Sequence, residues 1–273
     1  MRVSFQGEPG AYSEAAVLAY YPDQKTATVP CESFEAVFAS VDRGESDFGF
    51  IPIENSLAGS IHQNYDLLLR YSLWVIGEYQ LRVRHCLIAL PGVQLSKVRR
   101  VISHPQALAQ CEGYLRGLPD VVVEPAYDTA GSVKIIHQQQ DKTTAAIASR
   151  RAAELYEMDV LAENIEDNPE NYTRFLIIAK QPVLATKKAK TSIVFSLNNQ
   201  PGTLFKALSV FALRDIDLTK IESRPLIGTP WDYLFYIDFI GSTQDQAVVR
   251  AMNHLSEYAK MLRVLGSYPY FNG

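Results

Sequence analysis

Short apolar runs alternate with helical patterns along the first 180 residues of the chain. Ser33 is expected to cap a helix that ends at Gly44, and Pro105 is expected to open another helix. The pattern predicts an α/β fold with largely parallel sheets. Strands are predicted at 2–5, 26–30, 47–53, 73–80, 82–90, 99–103, 121–125, 143–149 and 175–180, and helices at 13–21, 33–44 and 61–71 and after residues 105, 128 and 150.

This alternation stops near residue 90 and restarts at residue 99, which indicates a second α/β unit. Segments 159–165 and 175–180 are expected to return to the first unit, so that the chain passes between the units twice. Two lobes joined by two crossings imply a cleft between them.

The pattern changes again at residues 181–190, which contain Pro182 and three lysines and show no apolar period. This composition is typical of a linker. Residues 191–273 then follow the order strand, helix, strand, strand, helix, strand, which predicts a ferredoxin-like βαββαβ domain. We therefore predict a two-lobed domain at 1–180, a linker at 181–190 and a second domain at 191–273.

Charge and composition exclude several classes of protein. The chain has 26 Lys and Arg against 30 Asp and Glu, a net charge of -4, and no basic stripe that would favour nucleic acid. No apolar run approaches the ~20 residues of a membrane span. The first residues lack the basic and apolar regions of a signal peptide, so a cytoplasmic protein is expected. The three cysteines form no CxxC pair and the five histidines lack ligand spacing, which argues against a metal site.

Four predicted helix starts, at residues 10–13, 58–60, 103–106 and 128–131, are rich in small and hydroxyl residues. Free N–H groups and the helix dipole at such ends favour carboxylates and phosphates. The alternative is that Ser and Asp here only cap their helices. Four such ends facing one cleft would suit a small dianion.

Polar residues also gather at two strand ends. Glu54, Asn55 and Ser56 follow directly on an apolar strand, at the edge where open α/β sheets bind ligands. Thr173 and Arg174 precede the last strand of the first domain. By its spacing alone, Thr173 can be either a β-former or a catalytic group.

These motifs resemble those of prephenate dehydratases, and the resemblance covers essentially the whole chain. Five motifs occur in the family's order, and residues 57–62 and 265–269 are also similar to plant-type arogenate dehydratases. Residues 222–225, ESRP, look like the phenylalanine-sensing motif of the attached ACT domain. The five motifs are QGEPGAYS at 6–13, PIENS at 52–56, SHPQAL at 103–108, DTAG at 128–131 and TRF at 173–175.

The resemblance implies a monofunctional lyase of phenylalanine biosynthesis that converts prephenate to phenylpyruvate, with loss of water and carbon dioxide and without a cofactor. It also implies a catalytic domain like the periplasmic binding proteins. Thr173, Arg174 and Phe175 form the family's catalytic motif, in which we expect Thr173 to donate a hydrogen bond to the leaving hydroxyl. Either Arg174 or the helix ends are expected to hold the pyruvyl side chain more firmly than the ring carboxylate. The other substrate-binding residues that the resemblance implies are Asn55, Ser56, Ser103, Gln106 and Thr129.

Two further candidates have two interpretations each. Glu54 could relay a proton or cap the chain near Gly59, and His104 could cap a helix or bind the substrate. No preceding helical region is expected, because Met1 leads almost directly into the first strand.

The resemblance further implies feedback inhibition by L-phenylalanine, bound between two ACT domains of a homodimer or homotetramer. Thr203 departs from the family's Gly-Ala-Leu pattern and could alter affinity or merely cap the helix. The residues expected to bind phenylalanine are Asn198, Pro201, Gly202, Thr203, Leu204, Glu222, Ser223 and Arg224.

Two other functions remain open at this point. Arogenate dehydratases act on a substrate that carries an amino group in place of the keto group, and shared motifs cannot separate the two. A non-enzymatic sensor of the binding-protein type would also have a cleft, but it would have no use for the Thr173 hydroxyl.

Overall fold

The computed structural model describes residues 1–22, 25–183, 185, 188–226 and 232–271; residues 184, 186 and 187 of the predicted linker lie outside the described residues. The strands are β1 Arg2–Gln6, β2 Ala27–Cys31, β3 Phe48–Asn55, β4 Gly59–Ser60, β5 Trp74–Arg82, β6 Cys86–Ala89, β7 Arg100–Ser103, β8 Val122–Pro125, β9 Thr144–Ala148, β10 Asp159–Glu163, β11 Tyr172–Ala179, β12 Ala189–Leu197, β13 Leu218–Pro225, β14 Tyr233–Ile240 and β15 Ala259–Pro269. The helices are α1 Tyr12–Tyr20, α2 Phe34–Arg43, α3 His62–Arg70, α4 Pro105–Ala109, α5 Glu112–Arg116, α6 Thr129–Gln139, α7 Arg150–Leu155, α8 Thr203–Ala212 and α9 Gln246–Tyr258.

The predicted start and end signals of the helices are confirmed. The Ser33 hydroxyl accepts a hydrogen bond from the Ala36 N–H at 3.2 Å and caps α2. Gly44 ends that helix in the left-handed region, with φ of 76°, where glycine lacks the usual steric cost. Pro105 is the first residue of α4, where its missing N–H is not needed.

Each lobe contains one sheet with helices packed against it. The first lobe has strand order β2-β1-β3-β11-β5, with β4 paired to β3, and the second lobe has order β10-β6-β9-β7-β8. The expectation of largely parallel sheets is wrong, because β11 runs antiparallel to β3 and β5, and β6 runs antiparallel to β9 and β10. These strands adjoin the lobe crossings, where no helix returns the chain to make a parallel neighbour.

Two short segments, 83–85 and 164–171, connect the lobes and contact each other. The Val83 N–H donates to the Asn171 carbonyl at 2.7 Å, and the Ile165 N–H donates to the His85 carbonyl at 3.2 Å. The predicted double crossing is therefore confirmed. The expected return of residues 159–165 to the first lobe is wrong, because β10 pairs with β6 and stays in the second lobe.

The C-terminal domain confirms the predicted βαββαβ arrangement. Its antiparallel sheet has the order β13-β14-β12-β15 and carries α8 and α9. The domain packs on the first lobe, where Val75, Leu176, Tyr236 and Leu265 share one apolar cluster. At Gly266 the two backbones approach so closely that an added Cβ would lie 2.0 Å from the Val75 carbonyl oxygen.

Candidate active site

A cavity of about 380 Å³ lies between the two lobes. Its walls are the ends of β3 and β11, the first crossing segment, and the starts of α1, α3, α4 and α6. This volume lies within the roughly 300 to 1,000 Å³ of typical small-molecule sites. The helix starts that the sequence singled out therefore face one cavity.

The four helix starts differ in how they are capped. The His104 ring nitrogen Nδ1 accepts from the Gln106 N–H at 3.2 Å on α4, and the Asp128 carboxylate accepts from the Gly131 N–H at 2.9 Å on α6. The cap positions of α1 and α3, Ala11 and Ile61, make no side-chain cap. Thus α1 and α3, which are both nine residues long, present first-turn N–H groups without a side-chain cap.

Among the described residues that line this cavity, there is no Asp, Glu, Lys or Arg. The polar groups that face it are hydroxyls, amides, imidazoles and helix ends. A negatively charged ligand would therefore be held by hydrogen-bond donors and helix dipoles rather than by side-chain cations.

Thr173 lies on the cavity wall, next to Asn55 of the adjacent strand β3. The Asn55 oxygen Oδ1 accepts hydrogen bonds from the Leu57 and Ala58 N–H groups at 3.1 and 2.9 Å. The Asn55 amide nitrogen therefore points the other way, and its two hydrogens are shared among Asn171 Oδ1 at 2.8 Å, the Tyr172 carbonyl at 3.1 Å and Thr173 Oγ1 at 3.1 Å. Because Thr173 accepts this bond, its own hydroxyl hydrogen is left to donate into the cavity.

Arg174 faces away from the cavity, because successive side chains of a strand point to opposite faces of the sheet. Its guanidinium donates to Glu78 at 2.8 Å and to Asp238 at 2.6 Å, and it lies 3.3 Å from the Tyr268 hydroxyl. Burial opposes its charge, but these three groups raise the pKa of Arg174 above its ordinary value. Arg174 does not line the cavity that contains Thr173; together with Glu54 and Ser56 it lines a separate cavity of about 330 Å³, so its contact with the substrate stays a prediction.

Three other expected substrate contacts also lie outside the cavity. Glu54 pairs with Lys220 of the C-terminal domain at 3.1 Å. The Ser56 hydroxyl donates to the Glu170 carbonyl at 2.7 Å, and Glu54 and Ser56 flank inward-facing Asn55. The buried Ser103 hydroxyl donates to the Ile147 carbonyl at 2.6 Å and joins β7 to β9.

The remaining expected residues do line the cavity. Asn55, Gln106, Thr129 and Phe175 contribute to its walls together with Thr173, and so does His104. Phe175 is almost fully buried and offers only an apolar surface. His104 both caps α4 and faces the cavity, so its two interpretations do not exclude each other.

Sequence reasoning assigned no individual role to four polar residues that form a hydrogen-bonded chain leading from Asn55, and Tyr12, His85 and Gln110 of this chain line the cavity. The Tyr12 hydroxyl lies 2.7 Å from His85 Nδ1, and His85 Nε2 lies 2.9 Å from Gln110 Oε1. Asn171 Nδ2 donates to the same Gln110 oxygen at 3.0 Å, and Asn171 Oδ1 accepts from Asn55 at 2.8 Å. Burial lowers the pKa of His85. A histidine inside the apolar stretch 82–90 was the available signal.

On β13, Glu222 and Arg224 face the first lobe. The Glu222 carboxylate accepts from the Ser60 hydroxyl at 2.5 Å and lies 3.3 Å from His62 Nε2. Arg224 donates to Asp66 at 2.9 Å. Burial opposes the charge of Glu222, but the Ser60 hydrogen bond and Lys220 lower the pKa of Glu222. Because Ser60 also lines the cavity, these contacts join the C-terminal domain to the cavity wall.

The other expected effector residues lie in the turn before α8. Asn198, Thr203 and Leu204 line a small cavity of about 70 Å³. Pro201 and Gly202 belong to the same turn, and the Thr203 hydroxyl donates to the Gln200 carbonyl at 2.8 Å. The described lining of this cavity does not include Glu222, Ser223 or Arg224, so a single chain does not bring the two groups of residues together there.

Residues 3–183 match the prephenate dehydratase family, and residues 191–256 match the ACT domain. This chain belongs to the prephenate dehydratase family. It is 51% identical over 280 residues to arogenate dehydratase/prephenate dehydratase 2, chloroplastic, of Arabidopsis thaliana, covering 98% of this chain and 73% of that protein. It is 50% identical over 289 residues to arogenate dehydratase 2 of Petunia hybrida, covering 100% of this chain and 73% of the relative.

Two solved structures share the complete dehydratase and ACT architecture. Prephenate dehydratase from Arthrobacter aurescens in complex with L-Phe is 33% identical, with a TM-score of 0.90 over 99% of this chain and 90% of that one. GqqA, described as a novel type of quorum quenching acylase, is 35% identical, with a TM-score of 0.92 over 99% of this chain and 98% of that one.

None of the described helices is long and apolar enough to cross a membrane.

Proposed function

We propose that this prephenate dehydratase family member converts prephenate to phenylpyruvate, carbon dioxide and water, with Thr173 as the hydrogen-bond donor to the leaving hydroxyl. The observation that carries the proposal is the Thr173 hydroxyl, which accepts from Asn55 at 3.1 Å and faces a cavity without charged side chains. A donor fixed in this way is oriented before the substrate binds, which is the condition for effective electrostatic catalysis.

The reaction requires the protein mainly to orient the substrate. The ring carboxylate leaves as carbon dioxide, its bonding electrons complete the aromatic ring, and the ring hydroxyl leaves as water after taking up one proton from the solvent. Aromatisation supplies the driving force. A neutral threonine is a poor acid, so Thr173 stabilises the charge that develops on the departing oxygen and does not supply the proton itself.

The two substrate carboxylates are held by the side-chain-uncapped starts of α1 and α3 and by neutral donors such as Gln106 and Thr129. A tight grip on the departing carboxylate would stabilise the ground state as well as the transition state. We therefore propose that the pyruvyl carboxylate is held more firmly than the ring carboxylate.

One feature of the cavity favours prephenate over arogenate. Arogenate carries an ammonium group, which a binding site usually pairs with a carboxylate, and no Asp or Glu lines the described cavity. The names of the plant relatives support arogenate as the second candidate.

Assaying the purified protein on both substrates decides between these functions. We expect a kcat/KM for prephenate at least about tenfold above that for arogenate, equivalent to about 1.4 kcal/mol of transition-state binding. The reverse preference identifies an arogenate dehydratase. Turnover of neither substrate, with binding retained, supports a sensor of the binding-protein type.

The contacts of Thr173 and Ser103 do not support the acylase activity that is described for GqqA. Acyl transfer by a hydroxyl requires an adjacent general base. The hydrogen-bond partner of Thr173 is the Asn55 amide, which cannot take up a proton, and Ser103 bonds a backbone carbonyl.

We further propose that L-phenylalanine inhibits the enzyme by binding at the ACT domains of a homodimer or homotetramer. The ACT match and the L-Phe complex of the Arthrobacter aurescens relative support this. Phe205 and Leu213 of the ACT domain are 76% and 77% exposed and offer apolar surface for self-association. Light scattering with and without phenylalanine tests the assembly, and a monomer in both conditions contradicts it.

The proposal also includes the boundaries of the domains and the cellular compartment of the protein. The family matches support a catalytic domain at 1–180, a linker at 181–190 and a regulatory domain at 191–273. All three cysteines are free, which is compatible with a reducing compartment such as the cytoplasm, although the Arabidopsis relative is named chloroplastic. Fractionation of the source cells tests the location.

A further inference from the structure

The chain of hydrogen bonds behind Thr173 passes through both lobes and both crossing segments. Tyr12 belongs to the first lobe, His85 to one crossing, Gln110 to the second lobe and Asn171 to the other crossing, and Asn55 returns the chain to the first lobe. Asn171, His85 and Asn55 are 0%, 2% and 7% exposed, so water competes little for these bonds.

The direction of the three bonds from Asn55 to His85 is set from one end. Two backbone N–H groups make Asn55 Oδ1 an acceptor, so Asn55 Nδ2 donates to Asn171 Oδ1. Asn171 must then donate through Nδ2 to Gln110 Oε1. Because Gln110 Oε1 can only accept, His85 Nε2 must carry a hydrogen.

We propose that His85 is a positioning residue for Thr173. Its Nε2–H fixes the carbonyl oxygen of Gln110, which in turn holds Asn171, the amide of Asn55 and the direction of the Thr173 hydroxyl. On the neutral ring, Nδ1 then accepts from the Tyr12 hydroxyl at 2.7 Å, which shares its hydrogen with the Arg84 carbonyl at 3.0 Å. The arrangement couples the orientation of Thr173 to the relative position of the lobes, because Gln110 is the one member contributed by the second lobe.

This inference rests on the proposed function only for its kinetic test, which uses two amide variants. The glutamine amide reaches the position of the imidazole Nε2, whereas the asparagine amide reaches only that of Nδ1. We expect His85→Asn to lower kcat about 10- to 100-fold with little change in KM, because a donor displaced by about 1 Å loses that much rate. We expect His85→Gln to retain at least tenfold more kcat than His85→Asn.

The same substitutions at exposed His137 serve as controls and should leave kcat unchanged. Equal kcat values for the two His85 variants overturn the proposal. A change confined to KM also overturns it, because this would indicate direct substrate contact rather than positioning.

A second measurement is independent of activity. The side-chain ¹⁵N spectrum of the wild-type protein distinguishes the Nε2–H and Nδ1–H tautomers, and comparison with His85→Gln assigns the signal. We expect the Nε2–H tautomer at neutral pH. An Nδ1–H tautomer overturns the proposal, whereas failure to turn over either substrate contradicts only the proposed function.

Discussion

The amide nitrogen of Asn55 lies 3.1 Å from the hydroxyl oxygen of Thr173, across the pairing of β3 with β11. Two backbone N–H groups hold the other end of that amide. The bond therefore does more than connect two strands: it makes the threonine oxygen an acceptor and leaves its hydrogen as a donor to the cavity. We therefore propose that catalysis depends on the geometry of this hydroxyl, which a substitution can test.

Thr173→Val keeps the shape of the side chain and removes its hydroxyl. We expect kcat to fall by about 100-fold or more, because loss of one preorganised donor typically costs that much, while KM stays within a few-fold. Thr173→Ser keeps the hydroxyl and should retain much of the activity. Steady-state kinetics on prephenate measures both variants, and a Thr173→Val enzyme as active as Thr173→Ser would remove the hydroxyl from the mechanism.

Arg174 should matter for stability rather than for substrate binding. Arg174→Met leaves Asp238 without its cation in a buried cluster, and breaking such a pair costs about 3 to 5 kcal/mol. We expect the free energy of unfolding in urea to fall by at least about 2 kcal/mol, with KM for prephenate nearly unchanged in the folded protein.

Arg70→Met is the matched control for this prediction. Arg70 pairs with Glu35 at 2.7 Å on the surface, with the two side chains 60% and 53% exposed, so its loss should cost less than about 1 kcal/mol. A raised KM with full stability in Arg174→Met would show that the guanidinium contacts the substrate after all.

The positions of Thr173 and Arg174 show which parts of the site the sequence can predict. Strand periodicity alone requires neighbouring residues to face opposite ways, so either side chain of this pair could reach the cleft but not both. By the same rule, Asn55 and Glu54 face opposite sides of the sheet, and only Asn55 lines the cavity. Ser103 is different, because its partner Ile147 is 44 residues away and only the pairing of β7 with β9 brings them together.

Long-range pairing also explains what was missed and what was correctly predicted. His85 and Asn171 are brought together by contact between the two crossing segments, which no local pattern encodes. The helix caps and the βαββαβ order depend on short-range signals and were predicted correctly. The prediction of largely parallel sheets was wrong, because strand direction depends on where the chain crosses between the lobes.

Feedback inhibition should depend on the hydrogen bond between Ser60 and Glu222. This bond of 2.5 Å joins the ACT domain to a residue of the cavity wall. Ser60→Ala removes it from the catalytic side, so calorimetry should show phenylalanine affinity in the absence of substrate within about twofold of wild type. The concentration of phenylalanine that halves activity should rise about fivefold or more, since coupling energies of 1 to 3 kcal/mol correspond to about 5- to 150-fold.

Linkage provides a check on this result. If Ser60 carries the coupling, a substrate analogue should weaken phenylalanine binding in the wild type and should do so much less in Ser60→Ala, because the two ligands affect each other reciprocally. Unchanged inhibition in Ser60→Ala would exclude this contact as the connection between the two sites.

The last prediction concerns acid stability. Burial lowers the pKa of His85 below its ordinary value of 6.5, so as the pH falls the unfolded chain takes up this proton before the folded chain does. The contribution of neutral His85 to the free energy of unfolding is therefore fully present above the pKa of this histidine in the unfolded chain, and it is lost as the pH falls below that pKa. Comparing urea unfolding at about pH 7.5 and pH 5.5 should show a smaller loss of stability in His85→Gln than in wild type. His137→Gln, at an exposed histidine, should behave like wild type, and equal losses in all three proteins would show that His85 does not contribute.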